Sequence, residues 1–174
     1  MLGVAHQSVS ADANGRMDLD ALRAVLDAHP VGTVVATLGT TSFGSVDPLA
    51  AIVKLRERYG FRLHVDAAYG GYFKLLPELL CATDFAAIEA ADSVVIDPHK
   101  HGLQPYGCGC VLFANPQDGA VYAHDSPYTY FTSDDLHLGE ISLECSRAGA
   151  TAVALWATQQ LLPNVGAGDF ANNL

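Results

Sequence analysis

The sequence has few charged side chains, and basic ones are scarcest. Of its 174 residues, 16% are charged, and 9 Lys and Arg stand against 19 Asp and Glu for a formal net charge of -10. Nucleic-acid binding requires clustered Lys and Arg to meet the phosphates, so this balance argues against that class. The 50% hydrophobic content argues against intrinsic disorder, which needs the opposite balance. The length predicts about one globular domain, and we expect its partner to be a small molecule or another protein chain.

Long apolar runs and paired cysteines are also missing. No run approaches the ~20 residues of a membrane span, and Met1 is not followed by a basic and then apolar signal segment. We therefore expect no membrane partner. The four cysteines form no CxxC pair, which favours reduced thiols in a cytoplasmic protein. The HxH and CxC pairs at 99–101 and 108–110 do not have zinc-finger spacing, so we expect no metal.

Three segments have helical patterns with clear start or stop signals. Asp18 is a good N-cap for a helix from Leu19 to Ala28. Asp47, followed by a proline, predicts the capped start of a second helix that ends at Gly60. A longer helix is predicted over residues 146–162, where a proline follows it.

Short apolar runs lie between these helices and predict strands at 31–38, 63–65, 93–96 and 110–113. The first run is rich in β-branched residues, which is typical of a strand buried on both faces. Alternation of strand and helix predicts an α/β fold, a mostly parallel sheet flanked by helices.

Three of the predicted strands lead into polar or reactive side chains. Thr40 and Thr41 follow the first, Asp66 the second, and His99 and Lys100 the third. Ligands of parallel sheets bind beyond the carboxyl ends of the strands. We therefore expect a lysine, a carboxylate and hydroxyl groups to face one crevice.

Lys100 and Asp66 suit the chemistry of an aldehyde cofactor. A partly desolvated lysine favours its neutral amine, the form that attacks aldehydes, although a surface lysine at the start of a loop is the alternative. Asp66 precedes small residues, AAYGG, beside which a flat ring can lie. A ring nitrogen kept protonated by a buried carboxylate is the electron sink that pyridoxal phosphate chemistry requires.

The segments VVATLGTTSFGSVDPL, RLHVDAAYGGYF and SVVIDPHKHGLQPYGCGCVLF resemble three successive blocks of the group II pyridoxal-phosphate-dependent amino-acid decarboxylases. That family includes the aromatic amino-acid, histidine and glutamate decarboxylases. The similarity extends from Gly15 to Phe113 and more weakly to Trp156. It implies part of the large domain of the type I, aspartate aminotransferase-like fold. It also implies decarboxylation of an amino acid to an amine and carbon dioxide.

The resemblance assigns a role to each matching position. Lys100 would form a Schiff base with the cofactor, and Asp66 would pair with its pyridinium nitrogen. Ala68 would pack against one face of the ring. Thr41 would lie near the phenolic oxygen, and His99 would contribute to the phosphate site.

Other positions have two alternative roles or depart from the family pattern. His64 matches the histidine of the HVDAA block and has a supporting role, or it is a hydrogen-bonded core residue. Asp97 stands where the family often has Asn, and a carboxylate near a phosphate is unfavourable unless it faces away or meets a donor. His101 replaces a common aromatic residue. Tyr128 and Tyr130 could represent the family's mobile-loop tyrosine, but the short surrounding segment favours packing roles.

The resemblance also bears on domain organisation and assembly. Residues 1–174 would be a single partial cofactor-binding domain, without the N-terminal part and the C-terminal small domain of the family, and a homodimer is implied. Arg147 could bind a substrate carboxylate or form a structural salt bridge. Two alternatives stay open: other pyridoxal phosphate chemistry (transamination, carbon–carbon lyase or desulfurase), and a non-catalytic truncated α/β module.

Overall fold

A computed structural model describes residues 3–76, 81–122 and 149–161. Its four strands form one sheet in chain order: β1 Thr33–Thr37, β2 Arg62–Asp66, β3 Ser93–Ile96 and β4 Cys110–Phe113. The pairs β1–β2 and β2–β3 are parallel, and β4 runs antiparallel to β3. The predicted α/β fold with a mostly parallel sheet is confirmed.

The described residues also form four α-helices and three short 3₁₀ segments, before, between and after the strands. The helices are α1 Leu19–Ala28, α2 Leu49–Tyr59, α3 Ala82–Ala86 and α4 Ala150–Leu161, and the 3₁₀ segments are Gly71–Leu75, Ala87–Ala90 and Pro116–Tyr122. Asp18 caps α1 as predicted, because its Oδ1 accepts the backbone N–H groups of Asp20 and Ala21 at 2.8 and 3.1 Å. Among the described residues, no helix has the length and apolar character needed to cross a membrane.

Asp47 does not cap α2, and the prediction that it would is wrong. Its two carboxylate oxygens accept the backbone N–H groups of Met17 and Thr37, at 2.6 and 2.7 Å. Pro48 occupies the cap position without a side-chain hydrogen bond. The long-range pairing prevails because Asp47 is only 8% exposed, and a buried carboxylate needs donors on both oxygens. Asp47 thereby links the segment before α1 to the end of β1.

The core lies between one face of the sheet and the helices α1 and α2. Strand residues alternate, so Val34 and Ala36 of β1 are buried in the same cluster as Leu22 of α1 and Ile52 of α2. Val35, which points the other way, is 54% exposed. The prediction that this strand is buried on both faces is therefore wrong for the described chain, because both helices contribute to the core of one face.

Candidate active site

The segments that follow β1, β2 and β3 meet at the carboxyl edge of the sheet. The backbone N–H of Leu38 donates to the carbonyl of Asp66 at 2.9 Å, and that of Asp97 donates to the carbonyl of Ala68 at 3.2 Å. Hydrogen bonding thus continues past the strand ends. The threonine turn, the Asp66 segment and the lysine segment are therefore neighbours at this edge, whereas a single crevice shared by their side chains stays a prediction.

Two glycines allow the first two of these segments to touch. A Cβ built on Gly70 would lie 2.1 Å from the carbonyl oxygen of Leu38, and one on Gly39 would lie 2.7 Å from the Cα of Gly70. Gly39 also has a φ of +85°, a backbone conformation that residues with a Cβ rarely adopt. Backbone therefore packs directly on backbone, and the Thr40–Thr41 turn lies beside the segment after Asp66.

Lys100 lies in the turn after β3 and forms an ion pair with Asp97. Its Nζ is 2.9 Å from Asp97 Oδ2, and the two side chains are 34% and 17% exposed. The amine is partly desolvated, as the sequence predicted. The prediction from the sequence considered only desolvation and did not include this carboxylate. Asp97 thus meets a donor, the Lys100 amine, which is one of the two conditions under which a carboxylate was expected at this position.

Asp66 ends β2 on the face opposite the core, in register with Thr37 of β1. Its Oδ1 accepts the backbone N–H of Ala68 at 3.1 Å, and no other described residue forms a hydrogen bond with the carboxylate. The second oxygen, Oδ2, therefore has no hydrogen-bond partner among residues 3–76, 81–122 and 149–161. The side chain is exposed, in contrast to the burial expected from the sequence, because the described residues leave this face of the sheet open. Ala68 beside it is half-buried.

The two candidate histidines both have one nitrogen occupied. His99 Nδ1 is 2.7 Å from the carbonyl oxygen of Cys108, so this nitrogen carries the proton, and His99 Nε2 lies 3.8 Å from Asp97 Oδ2. His64 Nδ1 is 2.7 Å from Ser93 Oγ. His64 precedes Asp66 by two residues and shares its face of β2.

The two threonines of the LGTT turn play different parts. Thr40 Oγ1 accepts the backbone N–H of Ser45 at 2.9 Å and so holds the turn closed. Thr41 is exposed, and its hydroxyl forms no hydrogen bond with any described residue. Of the two, Thr41 is thus the one available to a ligand.

His101 belongs to an aromatic cluster that the sequence analysis missed. Its ring centroid lies 4.5 Å from that of Tyr69 and 4.9 Å from that of Phe73. The cluster joins the lysine turn to the 3₁₀ segment after β2. The sequence contains a signal for this cluster, because the aromatic residues Tyr69 and Phe73 are four residues apart and closely follow Asp66.

The cysteines near the site are thiols. Cys81, Cys108 and Cys110 are free, and burial, together with the neighbouring Cys108 and Asp97, raises the pKa of Cys110. Within residues 3–76, 81–122 and 149–161, no group of three or more His, Cys, Asp and Glu side chains could hold a metal ion. Tyr128, Tyr130 and Arg147, which were discussed above, lie outside the described residues, as does the fourth cysteine, Cys145.

The segments that carry an amine, a carboxylate and a hydroxyl meet at the carboxyl edge of the parallel strands, which is the edge where α/β proteins bind small molecules. The comparison with family models makes the class specific. The "Pyridoxal-dependent decarboxylase conserved domain" matches residues 1–173. The chain belongs to this family.

Several curated relatives support the assignment. The chain is 36% identical over 190 residues to the L-tyrosine decarboxylase of Enterococcus faecium, covering 85% of this chain and 31% of that protein. It is 33% identical over 174 residues to the L-2,4-diaminobutyrate decarboxylase of Acinetobacter baumannii, covering 93% and 34%. The chain thus spans about a third of the length of these relatives.

Solved structures agree with the fold. Mouse CSAD matches 94% of this chain and 34% of its own, with a TM-score of 0.74 and 27% identity. Oryza sativa TDC with PLP and tryptamine matches 95% and 35%, with a TM-score of 0.80 and 22% identity, which supports the fold alone. The predicted family is confirmed, and with it pyridoxal phosphate as the cofactor of the family and carboxy-lyase as its enzyme class.

Proposed function

We propose that this chain carries the cofactor-binding lysine and carboxylate of an enzyme that converts an amino acid to an amine and carbon dioxide. The observation that supports this most is the meeting of the Lys100 turn with the Asp66 segment at one sheet edge. The family assignment favours decarboxylation over other pyridoxal phosphate reactions and over a non-catalytic module.

The donor set fits pyridoxal phosphate. Bound there, the cofactor supplies an aldehyde carbon and an electron-withdrawing ring. Lys100 Nζ would be the amine for the aldehyde, and Asp66 Oδ2, to which no described residue donates, would accept the N–H of the ring nitrogen. Ala68 leaves room for a flat ring beside Asp66, and the Thr41 hydroxyl is free to donate to a ring oxygen.

The two histidines have supporting roles in this proposal. His99 Nδ1 is fixed on the Cys108 carbonyl, and Nε2 lies 3.8 Å from Asp97 Oδ2. When protonated, Nε2 could donate to a phosphate oxygen. The hydrogen bond between His64 and Ser93 would stabilise the face of β2 on which Asp66 lies.

Asp66 would make the largest electrostatic contribution to the reaction, because its carboxylate keeps the ring nitrogen protonated.

The substrate class follows from the relatives. They are named for tyrosine, for 2,4-diaminobutyrate and, in Methanosarcina barkeri, as a probable tyrosine/aspartate decarboxylase. Their common feature is an α-amino acid with a polar or ionisable side chain, and we propose this class as substrate.

We propose that residues 1–174 form part of the large domain, and that a cytoplasmic homodimer is the working assembly. The size of the relatives supports the first point, since they are about three times as long. The open sheet face that bears Val35 and Asp66 supports a covering by further protein, and the free cysteines suit a reducing compartment.

The test is release of labelled carbon dioxide from carboxyl-labelled amino acids, with tyrosine, aspartate and 2,4-diaminobutyrate as the panel. Lys100→Ala should abolish release, and Asp66→Asn should reduce kcat by about 10²–10³, as expected for loss of a preorganised charge. Lys74→Ala is the matched control, because Lys74 pairs with Glu89 at 3.0 Å away from the site. Release that persists in Lys100→Ala, or absence of release from the whole panel by the unaltered protein, would contradict the proposal.

A further inference from the structure

Lys100 has an anionic partner that belongs to its own turn. The Nζ–Oδ2 distance to Asp97 is 2.9 Å, and the backbone N–H of Lys100 donates to the carbonyl of Asp97 at the same distance, 2.9 Å. One turn of chain therefore brings the carboxylate back against the amine. No other described carboxylate forms an ion pair with Lys100.

Asp97 is itself held on several sides. Its backbone N–H donates to the Ala68 carbonyl at 3.2 Å, which fixes it to the segment that follows Asp66. A Cβ built on Gly109 would lie 3.2 Å from Asp97 Oδ1, so the backbone before β4 lies against the carboxylate. His99 Nε2 is 3.8 Å from Oδ2 on the remaining side.

The environment explains why the carboxylate can be placed there. Asp97 is 17% exposed, and a partly buried carboxylate requires a cation or hydrogen-bond donors. Lys100 supplies the cation. The attraction is mutual, so the carboxylate also stabilises the ammonium, which has no lone pair for attack on a carbonyl carbon.

We propose that Asp97 is a positioning residue that holds the Lys100 amine, protonated, at the sheet edge until a carbonyl ligand arrives. For reaction, the ammonium gives one proton to solvent water and the neutral nitrogen moves off Asp97. Its lone pair then adds to the carbonyl carbon, the carbon–oxygen double bond breaks, and the oxygen leaves as water with the two remaining protons of the amine. The role of the amine rests on the proposed function, whereas the restraint by Asp97 is a property of the ligand-free chain and can be measured separately.

Competitive acetylation measures this restraint without cofactor. A limiting amount of acetic anhydride acetylates a lysine amine only in its neutral form, forming an amide on nitrogen and releasing acetate and a proton. Peptide mass mapping then gives the relative rates for the three lysines of the chain, Lys54, Lys74 and Lys100. Lys54 is exposed on α2 and serves as the internal reference.

Asp97→Asn keeps the size and one acceptor oxygen of the side chain but removes the charge. We expect acetylation of Lys100 relative to Lys54 to rise about two- to five-fold, the factor that corresponds to a partly exposed ion pair of about 0.4–1 kcal/mol. Asp97→Glu should restore the slow rate. The matched control is Glu89→Gln, which removes the partner of Lys74 at 3.0 Å and should accelerate Lys74 only.

The outcomes separate this inference from the proposed function. An unchanged Lys100 rate in Asp97→Asn, in protein whose circular dichroism matches the unaltered chain, would refute the restraint whatever the reaction catalysed. A faster Lys100 in Asp97→Asn supports the restraint even in a protein that releases no carbon dioxide. An equal rise at all three lysines would also refute it, because it would report loosening of the fold.

Discussion

Removing the Asp47 carboxylate should destabilise the protein more than any surface substitution. Asp47 is 8% exposed and accepts two backbone N–H groups, from Met17 at 2.6 Å and Thr37 at 2.7 Å. Hydrogen bonds to charged groups contribute about 1.5–3 kcal/mol each, and an unmade buried donor costs about as much. Asp47→Ala should therefore lower the free energy of unfolding by about 3–5 kcal/mol, which is a large share of the stability of a domain of this size.

The assay is urea unfolding followed by circular dichroism, with the slope checked for constancy. Asp47→Asn, which keeps one acceptor, should lose about half as much. Glu57→Ala on the exposed side of α2 is the control and should change stability by less than about 0.5 kcal/mol. A loss below about 1 kcal/mol in Asp47→Ala would refute the tether, since two partly buried donors left without an acceptor cost more than that.

Two further predictions concern the contacts around the site. Gly70→Ala should lower stability by about 1–3 kcal/mol, the usual cost of overpacking, because its Cβ would lie 2.1 Å from the Leu38 carbonyl oxygen. Gly32→Ala, whose Cβ meets nothing within 4 Å, should be tolerated in the same melting experiment, and equal effects would contradict the close approach. For Cys110, burial raises the pKa, so less thiolate is present at a given pH than in free cysteine. Its alkylation by iodoacetamide should reach half its maximal rate at a higher pH than free cysteine does, and a lower midpoint would refute the effect.

The sequence predicts best those features that depend on neighbours along the chain. The Asp18 cap and the end of α2 at Gly60 follow from local hydrogen bonding and left-handed backbone, and both are present. The convergence of Thr41, Asp66 and Lys100 follows from strand direction, because parallel strands end at the same edge.

Features that depend on distant residues were not predictable in this way. Asp47 has a cap-like position in sequence, but partly buried backbone donors 30 and 10 residues away occupy both oxygens of its carboxylate. The exposure of Val35 depends on what packs on the second sheet face, which no pattern within β1 reveals. The Asp97–Lys100 pair is different, because its spacing of three residues is local and is a signal that could have been used.

The most direct test of the central claim is to find where pyridoxal phosphate attaches. The protein is incubated with the cofactor and reduced with borohydride, and its peptides are mapped by mass. The label should lie on Lys100, with Lys54 and Lys74 as internal controls, and Lys100→Ala should abolish it. A label spread equally over the three lysines, or none on Lys100 in folded protein, would contradict the assignment of this sheet edge as the cofactor site.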